Sequence, residues 1–308
     1  MDAPTRTPSA QASSDAAGSG LTALLESLRP AQWTKNGFVF AALIFSRSLT
    51  DWHRVVVVSA AALLFCLMAS ALYLVNDVLD ATEDRNHPLK RLRPVASGRV
   101  SLPAAIGTAA LLGLVALGGA WFLDRHFFLV LASYAAVNVL YSSYLKRIIL
   151  LDVFVVATGF VLRVIGGGLV IHVEISPWLI VCTTLLALFI SLCKRRHELV
   201  LLGKNASNHR STLRYLSPYL LDQLISIVTA STLMSYSLYT LSEDVAIKFP
   251  GKRLELTIPL VLYGIFRYLY LVHQHEEGGN PTRLFFTDPV LLAVVLLWAA
   301  SAILIIYL

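Results

Sequence analysis

The chain has 308 residues, of which 56% are hydrophobic and 14% charged, with a formal net charge of +6. Its mean hydropathy is +0.69. A water-soluble domain carries about 25% charged residues, so this composition excludes a disordered chain, a repeat solenoid and a secreted disulfide scaffold. Cys66, Cys182 and Cys193 all lie in or at the end of apolar runs, as small buried hydrophobes do. The reading is an all-α integral membrane protein, and the positive charge becomes a matter of sidedness rather than of nucleic-acid binding.

Residues 1–20 are small, polar and Pro/Gly-containing, and read as a disordered tail ahead of a membrane domain at 21–308. Leu21, Leu24, Leu25 and Leu28 follow helical spacing until Pro30, and Trp33 comes next. That pattern predicts a short amphipathic helix lying at the interface. Nine segments then follow that can cross about 30 Å of hydrocarbon, near 36–50, 55–76, 104–123, 127–145, 148–171, 178–193, 219–241, 255–273 and 288–307. With the N-terminus in the cytoplasm, seventeen Lys and Arg fall on that side and six on the other. The bias follows the positive-inside rule. It puts the long polar connections 77–103 and 194–218 in the cytoplasm, where function is expected.

The stretch NDVLDATEDR ends the second span. Steps of three and four residues bring Asp77, Asp80 and Asp84 onto one helical face, with Asn76 beside them. Carboxylates that close repel one another unless a cation sits among them. Hard oxygen ligands suit Mg²⁺, which shares its shell with substrate phosphates. The alternative is a solvated acidic helix end neutralised by the basic residues that follow. Those residues, Arg85, Lys90, Arg91 and Arg93, suit a polyphosphate. Arg99 reads as a lipid-headgroup contact and His87 as a turn residue.

In the fifth span Asp152, Gly159 and Arg163 share a face, with Arg163 about 16 Å deeper than Asp152. A charge at that depth is a functional candidate; the other reading is a bundle-internal arginine satisfied by backbone carbonyls. Gly166, Gly167 and Gly168 permit a close helix or lipid approach, or simply loosen the helix end. Tyr141, Tyr144, Lys146 and Arg147 close the fourth span as an interfacial anchor or a phosphate grip. The sixth span ends in CKRRHELVLLGK, where Lys194, Arg195 and Arg196 form a basic patch with Glu198 as the only nearby carboxylate. His197 and His209 are too far apart for a familiar metal spacing.

On these residues the chain resembles the UbiA superfamily of intramembrane prenyltransferases, which carry NDxxDxxxD on the second helix. The runs RPAQWTKN, YLVNDVLDATEDRNHPLKRLRPVASG, LKRIILLDVFVVATGFVLRVIGGG and CKRRHEL are similar to the decaprenyl-phosphate phosphoribosyltransferases within it. The resemblance implies a nine-helix bundle capped by cytoplasmic loops in the cell membrane, with Mg²⁺ at Asp77, Asp80, Asp84 and Asn76. It implies transfer of 5-phosphoribose from phosphoribosyl diphosphate (PRPP) to a polyprenyl phosphate, a step in making a cell-wall precursor. Lys90, Arg91 and Arg93 would face the diphosphate. Lys35, Tyr141, Lys146, Arg163, Lys194, Arg195 and Arg196 would face the 5-phosphate or the lipid phosphate. Ordinary members carry a second acidic motif, DxxxD, after the sixth helix; here that place reads KRRHEL, in keeping with anionic substrates gripped by ion pairing. An aromatic or other acceptor for a polyprenyl diphosphate is the second enzymatic reading. A lipid-phosphate carrier is the third, disfavoured because no inverted repeat is visible. A homo-oligomer is left open.

Overall fold

A computed structural model describes residues 20–86, 90–202, 215–274, 279 and 281–308. The tail expected at 1–20, apart from its last residue, and His87 and His209 lie outside the described residues. Everything described is helical or connecting; there is no strand among these residues.

A helix at 20–27, α1, leads into a 3-10 segment at Pro30–Phe40, which runs on into α2 (Ala41–Phe45). Then come α3 (Trp52–Leu79), α4 (Ala81–Arg85), α5 (Leu102–Leu123), α6 (Arg125–Ser143), α7 (Leu151–Leu169) and α8 (Pro177–Leu202). The chain finishes with α9 (Pro218–Thr240), α10 (Glu243–Lys248), α11 (Ile258–Gln274), α12 (Pro281–Thr287) and α13 (Pro289–Tyr307). Helix starts follow the side-chain chemistry. Asp51, Ser101, Asp124, Ser217, Ser242 and Asp288 each accept a bond from a backbone N–H three residues on. Capping of this kind satisfies donors that hydrocarbon cannot. Proline opens α8, α12 and α13 without losing a needed N–H.

Among the described residues seven helices are long and apolar enough to cross a membrane: α3, α5, α6, α7, α8, α11 with its preceding turn (Leu254–Gln274), and α13. The count expected from sequence is nine. The two segments outside the seven are the Pro30–Phe45 stretch, whose 3-10 turns leave only five α-helical residues at its end, and the 23-residue α9. Exposed Leu111, Leu114, Phe122, Leu296 and Leu297 line outward faces of α5 and α13. Apolar surface of that extent belongs against lipid. The chain is an integral membrane protein.

Two apolar cores fill the bundle. One packs α3, α5, α6 and the 3-10 segment around Phe65, Phe127 and Leu131. The other packs α7, α8, α9, α11, α12 and α13 around Phe189, Leu221 and Leu271. Helix α7 joins the two halves, and its glycines permit the join. A Cβ on Gly167 would stand 1.9 Å from the Val39 carbonyl oxygen, and one on Gly166 2.9 Å from Phe65. The close-approach reading of the glycine run is the one the fold uses. A third, smaller cluster of Ala23, Leu74, Ala81, Val95, Val100, Ala105 and Ala109 fastens α1 and the 93–100 connection to the ends of α3 and α5. That cluster sits beneath the acidic motif.

Candidate active site

The C-termini of α3, α6 and α8 reach the same end of the bundle as α1 and the start of the 3-10 segment, and the charged residues gather there. Helix α3 stops at Leu79 and α4 begins at Ala81, so the acidic motif straddles a brief interruption at Asp80. The i,i+4 bonds carry through it, from Asp80 N–H to the Asn76 carbonyl (2.9 Å) and from Asp84 N–H to the Asp80 carbonyl (2.8 Å). Helical spacing across residues 77–84 therefore survives, but the three carboxylates do not all meet. Asp77 and Asp84 converge, while Asp80 accepts from Asn76 Nδ2 at 3.0 Å and from Lys146 Nζ at 2.9 Å. Asn76 thus orients Asp80.

Asp77 and Asp84 are buried, at 2% and 3% exposure. Burying carboxylates is costly unless they are paired, and arginines pair them. Arg93 Nη1 touches Asp84 at 2.6 Å and Asp77 at 3.4 Å. Arg29 Nη2 reaches Asp77 at 2.5 Å. Arg29 also lies over the Tyr73 ring, 4.9 Å from its centroid. Its backbone is left-handed, φ 52° and ψ 59°, a conformation that costs a side-chain-bearing residue about 1–2 kcal/mol. The ion pair and the ring contact offset that strain. A cavity of about 330 Å³ opens beside these four charges, lined by Glu26, Ser27, Arg29, Asp77, Leu92, Arg93 and Pro94.

The donor set suits a hard divalent cation. A single cationic nitrogen already spans Asp77 and Asp84, and the oxygens of Asp80 stand one turn away on Lys146. Among the described residues no three acidic or sulfur/imidazole groups are close enough to form a ready-made metal cage. The carboxylates are engaged by cations, Arg93 from the stretch that follows the motif and Arg29 and Lys146 from elsewhere in the chain, and Asp77 and Asp84 are buried rather than solvated. A metal would have to share the site with those cations or displace them.

The other predicted cations divide into two groups. Lys146 is at the acidic site, and Lys35, partly buried on the 3-10 segment, lies within electrostatic reach of Arg29, Arg163 and Lys194. Lys90 opens the short turn whose carbonyl accepts from Arg93 N–H (2.9 Å), and Arg91 beside it is exposed.

Arg85, Arg163, Arg195 and Arg196 are held by the protein itself. Arg85 donates to the Ala96 carbonyl at 3.3 Å, bracing the 90–99 connection. Arg163 donates to Asn36 Oδ1 (2.7 Å), the Gly159 carbonyl (2.7 Å) and Tyr134 Oη (2.8 Å), against the Tyr134 and Phe160 rings. Arg163 is internal to the bundle, but one backbone carbonyl and two side chains, rather than carbonyls alone, satisfy it, and it joins α6, α7 and the 3-10 segment. Arg195 pairs with Asp152 (2.8 Å) and with Glu198, and Arg196 pairs with Asp222 (2.5 Å). Tyr141 lies within electrostatic reach of Arg195. The expectation that Glu198 stands alone near this patch is corrected, because Asp152 and Asp222 arrive from α7 and α9. Lys194 is 3.9 Å from Glu198 and about two-fifths exposed, which leaves it the more accessible charge of the three.

Arg29 is the site residue that sequence reading passed over, counting it only toward sidedness. The available signal was its place in RPAQWTKN, immediately before a helix-starting proline.

The arrangement defines a class: an all-helical membrane protein with carboxylates and cations interlocked at one mouth of the bundle, fit for a metal-bound polyphosphate. Residues 37–198 match the UbiA prenyltransferase family, and the chain belongs to that family. It is 31% identical to the decaprenyl-phosphate phosphoribosyltransferase of Mycobacterium tuberculosis, over 90% of this chain and 92% of the relative. It is 30% identical to the protein of the same name from Mycolicibacterium smegmatis, over 98% of both. Among solved structures, a UbiA homologue from Archaeoglobus fulgidus bound to GPP and Mg²⁺ superposes with a TM-score of 0.69 at 17% identity, covering 93% of this chain and all of that one. That likeness speaks for the fold.

Proposed function

We propose that this protein transfers 5-phosphoribose from PRPP to a polyprenyl phosphate, decaprenyl phosphate by likeness to its relatives, releasing diphosphate. One observation carries the reading: Asp77, Asp80 and Asp84 are interlocked with Arg29, Arg93 and Lys146 at one mouth of the bundle, which puts carboxylates of the kind that hold a metal beside cations of the kind that hold phosphate. The near full-length similarity to the mycobacterial proteins supports the choice of substrates.

In this reading Asp77, Asp80 and Asp84 would hold Mg²⁺, with Asn76 setting the Asp80 carboxylate. The ion would supply Lewis-acid neutralisation of the departing diphosphate. Arg29, Lys90, Arg91 and Arg93 bind that diphosphate and hold it in place. An anionic oxygen of the polyprenyl phosphate attacks C1 of the ribose from the face opposite the diphosphate. The new C1–O bond forms as the old one breaks, its electron pair leaves with diphosphate, and C1 inverts. The nucleophile is already ionised, so no strong general base is required. Lys35, Lys146 and Lys194 take the 5-phosphate and the lipid phosphate. Tyr141, Arg163, Arg195 and Arg196 act chiefly by holding α6, α7, α8 and the 3-10 segment in register around them.

The reading includes a cytoplasmic site in the cell membrane, with the 77–103 and 194–218 connections capping it. It also includes nine crossings, counting the Pro30–Phe45 stretch and α9, with residues 1–20 as a tail outside the membrane domain. Positive-inside charge supports that orientation. A second reading, polyprenyl transfer from its diphosphate to another acceptor, draws support from the family match.

Diphosphate release from PRPP by the detergent-purified protein, with and without decaprenyl phosphate, tests the proposal. Release that requires Mg²⁺ and both substrates is expected. Silence with PRPP, together with turnover of a polyprenyl diphosphate and an aromatic acceptor, would favour the second reading instead.

A further inference from the structure

Two arginines occupy the carboxylates that the proposed function assigns to metal. Arg93 bridges Asp77 and Asp84 through one nitrogen, and Arg29 reaches Asp77 from a left-handed backbone. Both guanidinium groups are only about one-quarter exposed, whereas the two aspartates are almost wholly buried. A divalent ion arriving alone meets carboxylates already neutralised and must leave one or both arginines without a counter-anion. A diphosphate arriving alone meets arginines already paired and must leave buried carboxylates uncompensated. Either half-occupied state carries an unpaired charge at a partly desolvated site, which is strongly disfavoured. When metal and diphosphate arrive together, the partners exchange. The metal takes the carboxylates, the guanidinium groups take phosphate oxygens, and every charge keeps a partner.

We propose that Arg29 and Arg93 are exchange counter-ions: they close the acidic site in the resting protein and swap from carboxylate to phosphate when a metal–diphosphate complex enters. The inference rests on the metal-diphosphate reading of the site and adds to it a coupling between two ligands that each bind poorly alone. By linkage the coupling is reciprocal. Arg29 becomes a binding residue for the diphosphate, and its strained backbone marks the point from which it pivots.

The exchange makes a prediction opposite to that of simple ligand loss. In the full-length detergent-solubilised protein, Mn²⁺ binding without any phosphate is measured by electron paramagnetic resonance. Arg93→Gln should bind Mn²⁺ on the order of tenfold more tightly than wild type, because the competing cation is gone. Arg29→Gln, which frees only Asp77, should shift the same way by less, and serves if Arg93→Gln does not fold. Arg85→Gln removes an equal charge one residue from Asp84 but bonded to the Ala96 carbonyl, and should leave Mn²⁺ affinity within about twofold of wild type. Conversely, Asp77→Asn and Asp84→Asn should bind inorganic diphosphate in EDTA more tightly than wild type. Mn²⁺ affinities of Arg93→Gln and Arg29→Gln that match Arg85→Gln would overturn the exchange while leaving the metal site standing. Absence of saturable Mn²⁺ binding in every protein, with diphosphate or without, would overturn the metal reading itself and the exchange with it.

Discussion

At the scale of single residues, the buried charges at the acidic site are explained by what they touch. Asp84 is buried and paired with Arg93. Asp84→Asn is expected to abolish Mg²⁺-dependent diphosphate release, by at least about 10²-fold, while the protein elutes and melts as a folded species. Full turnover in that variant would remove Asp84 from the metal set. Asp152→Asn should lower the melting temperature, because Arg195 then keeps only Glu198. The loss should be about 1–3 kcal/mol.

At the scale of elements, the 3-10 segment Pro30–Phe40 decides the site. It carries Lys35 and Asn36 and lies so close to α7 that only glycine fits at 167. Gly167→Ala would drive a methyl into the Val39 carbonyl, a backbone atom that cannot rotate away. A destabilisation of about 1–3 kcal/mol is expected, with loss of turnover as Lys35 moves. Gly118→Ala in α5, where an added Cβ meets nothing within 4 Å, should leave the melting temperature unchanged or slightly higher. Equal melting of the two variants would refute the close-packing role. The long helices were legible because their apolar runs are local and continuous, and the caps at Asp51, Ser101 and Asp124 coincide with their starts. The Pro30–Phe45 stretch was legible only as an apolar run. Whether such a run coils as 3-10 or α depends on what packs against it, here the glycine face of α7.

At the scale of the whole molecule, the charges divide the two ends of the bundle. Single cysteines placed at exposed Arg91 and, at the opposite end, exposed Ile247, in a background lacking the native three, should label from opposite sides of an intact membrane. Position 91 should be reached only from the cytoplasm, and labelling of both from one side would overturn the proposed orientation. The membrane class, the run of helices and the acidic motif can all be read along the chain, because hydropathy and i,i+4 spacing are properties of neighbours. Which cation answers which carboxylate cannot. Arg29 meets Asp77 across 48 residues, Lys146 meets Asp80 across 66, and Arg163 meets Asn36 across 127. Arg195 reads as a free phosphate ligand in the stretch KRRHEL and becomes a buried pair only when α7 brings Asp152 beside it. Charge type is written locally, but in a low-dielectric bundle a charge must find its partner in space, and packing selects that partner from distant helices.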